Sequence, residues 1–314
     1  MRTLEERIKA HAYALGFDLV GITTLGALEQ AAADAFARWL GAGYDGGMAY
    51  LARGAEKRAD TRRPVPGTVS AIVVALDYGG KAPNGPVARY ARGDDYHDLM
   101  IDRLNELHRL VEHEAGRAVA GKPYVDTGPI LERELARKAG LGWAGKNTNL
   151  INPKLGSYFF LGELLVDLEL APDAPFDAEH CGSCTACLDA CPTQAFVEAG
   201  VLDATRCISY LTIELKGEIP VEFHAAIAEG GHLYGCDVCQ EVCPWNIRFA
   251  REVGEPRFEA RAVIAGKGAR ALAADILAMS EDEFRVAFKG SAMKRAKPAG
   301  LRRNSAVVLG HLGT

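Results

Sequence analysis

Apolar residues recur at helical spacing near the start of the chain, where Leu4, Ile8, Ala12 and Leu15 share one face of a predicted helix over 3–15. Similar spacing predicts further helices over these ranges: 27–40, 98–118, 129–139, 273–279 and 282–288. Val69–Leu76 is instead continuously apolar and of strand length, which is typical of a strand buried on both faces. Shorter runs predict strands over the following ranges: 18–23, 148–151 and 157–170.

The alternation of helices and strands over 1–170 predicts a mixed α/β layer domain. A proline- and acid-rich linker, Ala171–Asp177, follows it. We therefore expect three parts: an α/β domain over 1–172, a cysteine-rich domain over 173–250 and a helical C-terminal region over 251–314.

Composition excludes several classes of protein. Hydrophobic residues make up 48% of the 314 residues and charged residues 25%, so a disordered or fibrous chain is excluded. No apolar run reaches the length of about 18 residues that a membrane helix needs. The charged N-terminus, residues 1–7, lacks the pattern of a signal peptide, so we expect a cytoplasmic protein without a membrane partner. The net charge of −5 does not by itself indicate a nucleic-acid partner.

All eight cysteines lie between Cys181 and Cys243. Thiols stay reduced in the cytosol, so clustered cysteines there are better explained as metal ligands than as disulfides. Cys181 to Pro192 reads C-x2-C-x2-C-x3-C-P, the bacterial ferredoxin motif for [4Fe–4S] clusters, whose fourth cysteine binds the other cluster of a two-cluster domain. Cys236 to Pro244 repeats the second half of this motif, and Cys207 supplies the remaining thiol.

This logic predicts a ferredoxin-like domain with two crossed sets of four ligands. One cluster takes the first set: Cys181, Cys184, Cys187 and Cys243. The other cluster takes the second set: Cys191, Cys207, Cys236 and Cys239. Two zinc sites are the alternative, because paired cysteines also bind zinc. The length of the motif in both halves favours the clusters.

Fully ligated clusters carry single electrons, so a reactive centre is expected in the residues before the cysteines. Those residues contain no glycine-rich dinucleotide motif and no P-loop. Asp95-Tyr96-His97 begins like the D-x-H-x-x-G loop of some cobalamin proteins, but the glycine is missing. We therefore interpret His97 as a solvated residue at the start of a helix.

Several motifs together resemble one family, the epoxyqueuosine reductases, along the whole chain. They occupy these segments: Tyr124–Ala136, Ala139–Asn147, Gly156–Tyr158, Cys181–Thr193, Arg206–Thr212 and Tyr234–Pro244. The resemblance implies a cytosolic enzyme with two [4Fe–4S] clusters and base-off cobalamin. It would reduce the epoxide of epoxyqueuosine at the tRNA wobble position to the alkene of queuosine, the last step of queuosine biosynthesis. It also implies an N-terminal domain like that of reductive dehalogenases.

The same resemblance implies partners and roles for single residues. The partners would be a tRNA with a GUN-type anticodon and an external low-potential electron donor, and we expect a monomer. Asp126 would be the proton donor beside the cobalt, and Lys216 would contact tRNA. Cobalamin contacts are implied at these positions: Arg58, Tyr90, Asp126, Leu150, Leu161, Ser209 and Asp237. Many relatives continue into a helical-repeat domain, which we expect this chain to lack.

Two alternatives stay open for these residues. Asp126 precedes Thr-Gly-Pro and could cap the helix predicted near Pro129. The acid role has a chemical reason, because losing the epoxide oxygen as water requires a positioned proton donor. Burial beside a corrin ring would raise the pKa of Asp126 and keep it protonated. Arg58 could instead be a surface charge in the basic loop around it.

A basic stretch over 285–303 offers a second tRNA surface, since it holds seven Lys and Arg residues and no acid. Four of them are the predicted contacts: Lys294, Arg295, Arg302 and Arg303. The alternative is that these side chains form a solvated helix face without a partner.

For the whole chain, the competing functions are a corrinoid-dependent dehalogenase-like reductase, a two-cluster electron carrier and a non-catalytic tRNA-binding module. Binding of a corrinoid by the protein would distinguish the two enzymes from the electron carrier.

Overall fold

The computed structural model describes residues 2–311. The α-helices are α1 (Leu4–Ala14), α2 (Gln30–Gly41), α3 (Tyr50–Arg53), α4 (Ala55–Ala59), α5 (Tyr96–Ala115), α6 (Glu132–Lys138), α7 (Ala186–Asp189), α8 (Ile208–Ile213), α9 (His224–Glu229), α10 (Val238–Glu241), α11 (Pro244–Phe249), α12 (Ala269–Ala278), α13 (Glu281–Ala287) and α14 (Lys297–His311). The strands are β1 (Leu19–Thr24), β2 (Ser70–Asp77), β3 (Gly121–Tyr124), β4 (Trp143–Ala144), β5 (Leu150–Ile151), β6 (Phe159–Val166), β7 (Phe196–Glu198) and β8 (Val201–Leu202). Short 3₁₀ helices cover Arg89–Ala91, Ala204–Arg206, Val221–Phe223, Pro256–Phe258 and Ala292–Ala296.

A four-stranded antiparallel sheet organises the N-terminal half, in the order β1-β2-β6-β3. Every residue of β2 is buried, as its continuous apolar sequence predicts. The reason is that α1 and α5 cover one face of the sheet, whereas α6 packs on the other. The mixed α/β class is therefore confirmed. The predicted strand over 148–151 is only β5, which pairs with β4 outside this sheet.

Helix α5 begins two residues earlier than the apolar spacing predicts. Asp95 is its N-cap, and the side chain accepts a hydrogen bond from the backbone N–H of His97. Gly116 ends the helix in a left-handed conformation, with φ 65°. The early start places Tyr96 and His97 in the first turn, under the edge of the sheet.

The C-terminal helices share a core with the cysteine-rich segment. Side chains of α8 and α9, such as Leu211 and Ile227, pack with Ile276 of α12 and Leu301 of α14. The predicted division into 173–250 and 251–314 stays a prediction, but the two segments bury one hydrophobic cluster between them. No helix within the described range is both long and apolar enough to cross a bilayer.

Candidate active site

Asp126 follows β3 in a left-handed backbone conformation, with φ 56°. Its neighbour Val125 is buried, whereas the Asp126 side chain is 64% exposed and faces outward. The backbone N–H of Asp126 donates a hydrogen bond to Oε1 of Glu132 at 2.5 Å. Asp126 does not cap α6, because the N-cap of that helix is Leu131 and no side chain bonds to it. The capping interpretation is therefore wrong.

Two residues of the first turn of α5 contact the Asp126 carboxylate. The Tyr96 hydroxyl donates a hydrogen bond to Oδ2 at 3.1 Å. Nε2 of His97 lies 3.6 Å from the same oxygen, which is an ion-pair distance but too long for a hydrogen bond. Nδ1 of His97 lies 2.7 Å from Oδ1 of Asp95. The interpretation of His97 as a solvated residue is wrong, because its ring is partly buried between two carboxylates.

The carboxylates and the imidazole set each other's protonation. Burial acts to lower the pKa of His97, but Asp126 and Asp95 outweigh it and raise that pKa to about 9. Partial loss of solvent around the carboxylate acts to raise the pKa of Asp126, yet the contacts with His97 and Tyr96 leave it below its usual range. The predicted rise in the pKa of Asp126 depended on burial beside a corrin ring and stays a prediction, whereas the protein side chains alone lower that pKa. Near neutral pH His97 holds the proton and Asp126 is ionised.

Arg58 of α4 lies close by and is 7% exposed, so it is not the surface charge of the alternative interpretation. Among residues 2–311 its guanidinium makes two hydrogen bonds, both long at 3.5 Å, to the carbonyls of Tyr50 and Gly128. Burial lowers its pKa. A guanidinium has five N–H donors, so this buried group has donors to spare for a ligand rich in acceptors.

The other predicted cobalamin contacts are spread around this site. Tyr90 is partly buried, with its ring centroid 6.2 Å from that of Tyr96. Ser209 and Leu161 are also partly buried, on α8 and β6. The Leu150 side chain is 3% exposed and packs in the core below the sheet.

Asp237 is committed to a buried ion pair. One of its oxygens accepts hydrogen bonds from the Arg89 backbone N–H at 2.8 Å and from the Arg89 guanidinium at 3.0 Å. Both side chains are 6% exposed. The Asp237 carboxylate therefore has a structural partner within the protein.

The cysteines fall into two groups. A cavity of ≈ 300 Å³ is lined by the first predicted set: Cys181, Cys184, Cys187 and Cys243. In the second group, burial raises the pKa of Cys236 to about 12, and the neighbouring thiols of Cys207 and Cys191 act in the same direction. Burial also raises the pKa of Cys239, and the neighbouring thiols of Cys236 and Cys207 add to this effect. Within residues 2–311 no group of His, Cys, Asp or Glu is arranged to hold a single metal ion. Thiols around a cavity suit a cubane cluster better than a tetrahedral zinc ion.

Lys146 ties the N-terminal half to the first cysteine loop. Its Nζ donates hydrogen bonds to the carbonyls of Gly182 at 2.5 Å and Cys184 at 3.0 Å. The side chain of Asn147 donates to the carbonyl of Cys239 at 3.1 Å. Both residues stand in a motif that carried the family resemblance, but spacing alone does not reveal that they hold the loops of both cysteine groups.

Two of the four predicted contacts in the basic stretch, Arg295 and Arg302, pair with acids from elsewhere in the fold. Arg295 donates two hydrogen bonds to Glu214, at 2.8 and 2.9 Å. Arg302 donates to Glu281 at 2.9 Å. Lys294 is exposed, and its charge helps to lower the pKa of Asp95, which the hydrogen bond with His97 lowers most. This places Lys294 at the edge of the Asp126 site.

Arg303 shapes the loop that carries Lys216. Its guanidinium donates hydrogen bonds to the carbonyls of Leu211, Leu215 and Gly217, at 2.7, 2.8 and 2.7 Å. Lys216 lies between the last two carbonyls and is exposed. Arg303 therefore stabilises the backbone on both sides of Lys216, the predicted tRNA contact.

Two family descriptions match the chain. "Epoxyqueuosine reductase QueG, DUF1730" matches residues 58–127, and "4Fe-4S double cluster binding domain" matches residues 180–246. The epoxyqueuosine reductase of Pseudomonas aeruginosa is 45% identical over 98% of this chain and 85% of its own length. That of Leadbetterella byssophila is 42% identical over 98% of this chain and 99% of its own length.

Solved structures of epoxyqueuosine reductases are also similar. One was crystallised with an epoxyqueuosine-modified stem loop of tyrosine tRNA, and it has a TM-score of 0.87 and 32% identity over 98% of this chain and 81% of that chain. Another, from Bacillus subtilis, has a TM-score of 0.86 with the same identity and coverage, and its catalytic aspartate loop is described as swung out of the active site.

Proposed function

The chain belongs to the epoxyqueuosine reductase family. We propose that His97 and Asp126 deliver a proton as it reduces epoxyqueuosine in tRNA, and that Tyr96 orients Asp126. The observation that carries this proposal is the contact of one exposed carboxylate with a protonated imidazole and a hydroxyl. The enzyme is an oxidoreductase. Converting an epoxide to an alkene takes two electrons and two protons and releases the oxygen as water, so a nearby proton supply is a chemical requirement.

Each of the three side chains has a distinct task. His97 holds a proton near neutral pH, because two carboxylates stabilise its charged form. Asp126 accepts this proton and passes it to the epoxide oxygen, since its carboxylate is the exposed member of the group. The second proton comes from solvent water, which the exposed carboxylate can reach. Tyr96 fixes the orientation of Oδ2 through its hydrogen bond. Contacts of this kind often tighten when substrate binds, so the distance of 3.6 Å is compatible with transfer.

We propose base-off cobalamin as the group beside these residues, in an N-terminal domain like that of reductive dehalogenases. When bound, cobalamin supplies a strongly reducing cobalt centre. The spare donors of the buried Arg58 guanidinium fit the amide and phosphate oxygens of that cofactor. Tyr90, Ser209 and Leu161 are further candidate contacts, whereas Leu150 and Asp237 would have to contribute through their backbone.

Two [4Fe–4S] clusters follow from the double-cluster domain over 180–246. We assign one cluster to the thiols around the cavity and the other to the second cysteine group. Cys184 is exposed and Cys239 is not, so electrons from a low-potential donor would enter through the cluster that Cys184 holds.

For tRNA we propose that Lys216 and Lys294 contact phosphates, while Arg295, Arg302 and Arg303 act mainly through contacts within the protein. The wobble base of a GUN anticodon would leave its stack to reach Asp126, since chemistry on a base requires that it be extruded. Arg295 lies over the ring of Tyr50 at 5.8 Å, on the same edge of the site. We expect a monomeric cytoplasmic enzyme.

The test is turnover by the anaerobically reconstituted protein, with cobalamin and a chemical reductant. An epoxyqueuosine-modified anticodon stem loop should be converted to the queuosine form, which nucleoside analysis by mass spectrometry detects. Conversion of a haloorganic substrate but not of the stem loop would favour the dehalogenase. A protein that takes up both clusters but no corrinoid would be an electron carrier.

A further inference from the structure

Glu163 is a charged residue type at the centre of the main sheet. It lies in the middle of β6, opposite Val73 of β2 on one side and Tyr124 of β3 on the other. Its relative exposure is 0%, and among residues 2–311 no N–H or O–H group donates a hydrogen bond to either carboxylate oxygen. An ionised carboxylate in such surroundings is very costly, so the group needs either a partner charge or a proton.

The nearest titratable group is another acid. Glu132, the first residue of α6, lies within hydrogen-bonding reach of the Glu163 side chain. Its Oε1 accepts a hydrogen bond from the backbone N–H of Asp126 at 2.5 Å. Burial and then the neighbouring Glu132 raise the pKa of Glu163 well above its ordinary value. Burial and then Asp126 raise the pKa of Glu132. Two adjacent carboxyls of this kind cannot both ionise, so one proton stays between them near neutral pH.

We propose that Glu163 is a positioning residue: it stays protonated and donates a hydrogen bond to Glu132, whose other oxygen holds the backbone of Asp126. The role rests on the proposed function of Asp126 as the proton donor. The Asp126 backbone needs such support, because φ 56° is unfavourable for a residue other than glycine. The contact with Glu132 fixes that conformation and so aims the carboxylate toward Tyr96 and His97.

The charged groups around Glu132 and Glu163 determine how the site responds when this pair of carboxyls loses its shared proton. Asp126 faces it from the loop after β3, Arg133 from α6 and Arg58 from α4. The side that faces β2 is apolar, with Val73 as the partner of Glu163. Loss of the proton at alkaline pH would leave three carboxylates together. Their repulsion would push Glu132 away from the Asp126 N–H and release the loop.

Two substitutions separate a proton-holding role from simple packing. Glu163→Gln keeps the shape and supplies an N–H donor that cannot ionise. Glu163→Leu keeps the volume but removes the donor. Asp77→Asn is the matched control, because Asp77 is another buried acid with an unpartnered oxygen. Its carboxylate accepts a hydrogen bond from the backbone N–H of Gly79, and its own backbone N–H donates to Asp18.

The direct measurement is hydrogen exchange of the backbone over residues 121–135, normalised to peptides from α5, in the cluster-loaded protein without substrate. In wild type the protection of this segment should fall as pH becomes alkaline. In Glu163→Gln it should persist to higher pH, and in Glu163→Leu it should be low throughout. Asp77→Asn should follow wild type.

Turnover is the second readout. Glu163→Leu should lower it about 10²-fold through misplacement of Asp126, whereas Glu163→Gln should stay within about threefold and lose its alkaline decline at higher pH. An exchange profile of Glu163→Gln that matches wild type at every pH would overturn the proposal. If Glu163→Leu does not fold, the Gln variant alone decides. If Asp126 is not the acid, Asp126→Asn will turn over normally, but the exchange profiles of the Glu163 variants will still differ as described. The two proposals can therefore fail independently.

Discussion

Nε2 of His97 lies 3.6 Å from Oδ2 of Asp126, so an imidazole at the start of α5 and a carboxylate after β3 form an ion pair. The pair puts a proton source next to the only one of the three carboxyls, Asp126, Glu132 and Glu163, whose side chain is largely exposed. Several consequences of this arrangement can be measured.

His97→Gln should lower turnover, because the neutral amide cannot hold the proton that Asp126 passes on. In wild type His97 is charged below its pKa of about 9, so turnover should fall as pH rises through that value. The stability that the charged ring contributes is complete below the ordinary value of 6.5 and is lost over the same rise. Single-turnover rates across pH are the measurement. His113→Gln, an exposed residue at the end of α5, is the control and should leave the profile unchanged.

Cys243→Ser should damage the cluster held by Cys181, although the two residues are far apart in the sequence. Both thiols line one cavity, so loss of one ligand should cost about half of the iron of a protein with two four-iron clusters. Cys239→Ser should affect the other cluster. Iron and sulfide analysis with EPR distinguishes the two, and zinc in place of iron would refute the assignment.

Arg303→Ala should weaken binding of the anticodon stem loop through the Lys216 loop rather than through a lost phosphate contact. Lys216→Ala should reduce the slope of log affinity against log salt by about 1. Arg303→Ala should lower thermal stability as well, because three backbone carbonyls lose their donor. Arg302→Ala, whose side chain pairs with Glu281, should change affinity little. An unchanged salt slope in Lys216→Ala would rule out a phosphate contact there.

Asp237→Ala should destabilise the fold by about 3–5 kcal/mol, because it leaves the Arg89 guanidinium buried with fewer partners. Asp282→Ala removes an exposed partner of Arg285 and should cost at most about 1 kcal/mol. Denaturant unfolding of the two variants measures the difference. Equal stability would show that Asp237 serves a ligand rather than the fold.

The sequence allowed much of the site to be predicted, for physical reasons that differ from residue to residue. Cysteine spacing is local within each motif, so it indicates cluster ligands without knowledge of the fold, whereas the crossed division into two sets stays a prediction. Asp126 came from the family motif and not from local chemistry. His97 was misread because its partner is distant in the chain, and only the fold brings α5 beside the end of β3. Arg295 and Arg302 looked unpaired because their acidic partners, Glu214 and Glu281, lie outside the basic stretch. The role of Glu163 could not be predicted from the sequence, because an acid in an apolar strand does not show that Glu132 lies beside it in the fold.

Single turnover of Asp126→Asn shows whether Asp126 is the proton donor. The amide keeps the size and the contacts with Tyr96 but has no transferable proton. The variant should bind the epoxyqueuosine stem loop and retain both clusters, while forming queuosine about 10²- to 10⁴-fold more slowly than wild type. Asp98→Asn, an exposed acid on the same helix as His97, should turn over normally. Queuosine formation by Asp126→Asn within a few-fold of wild type would contradict the account.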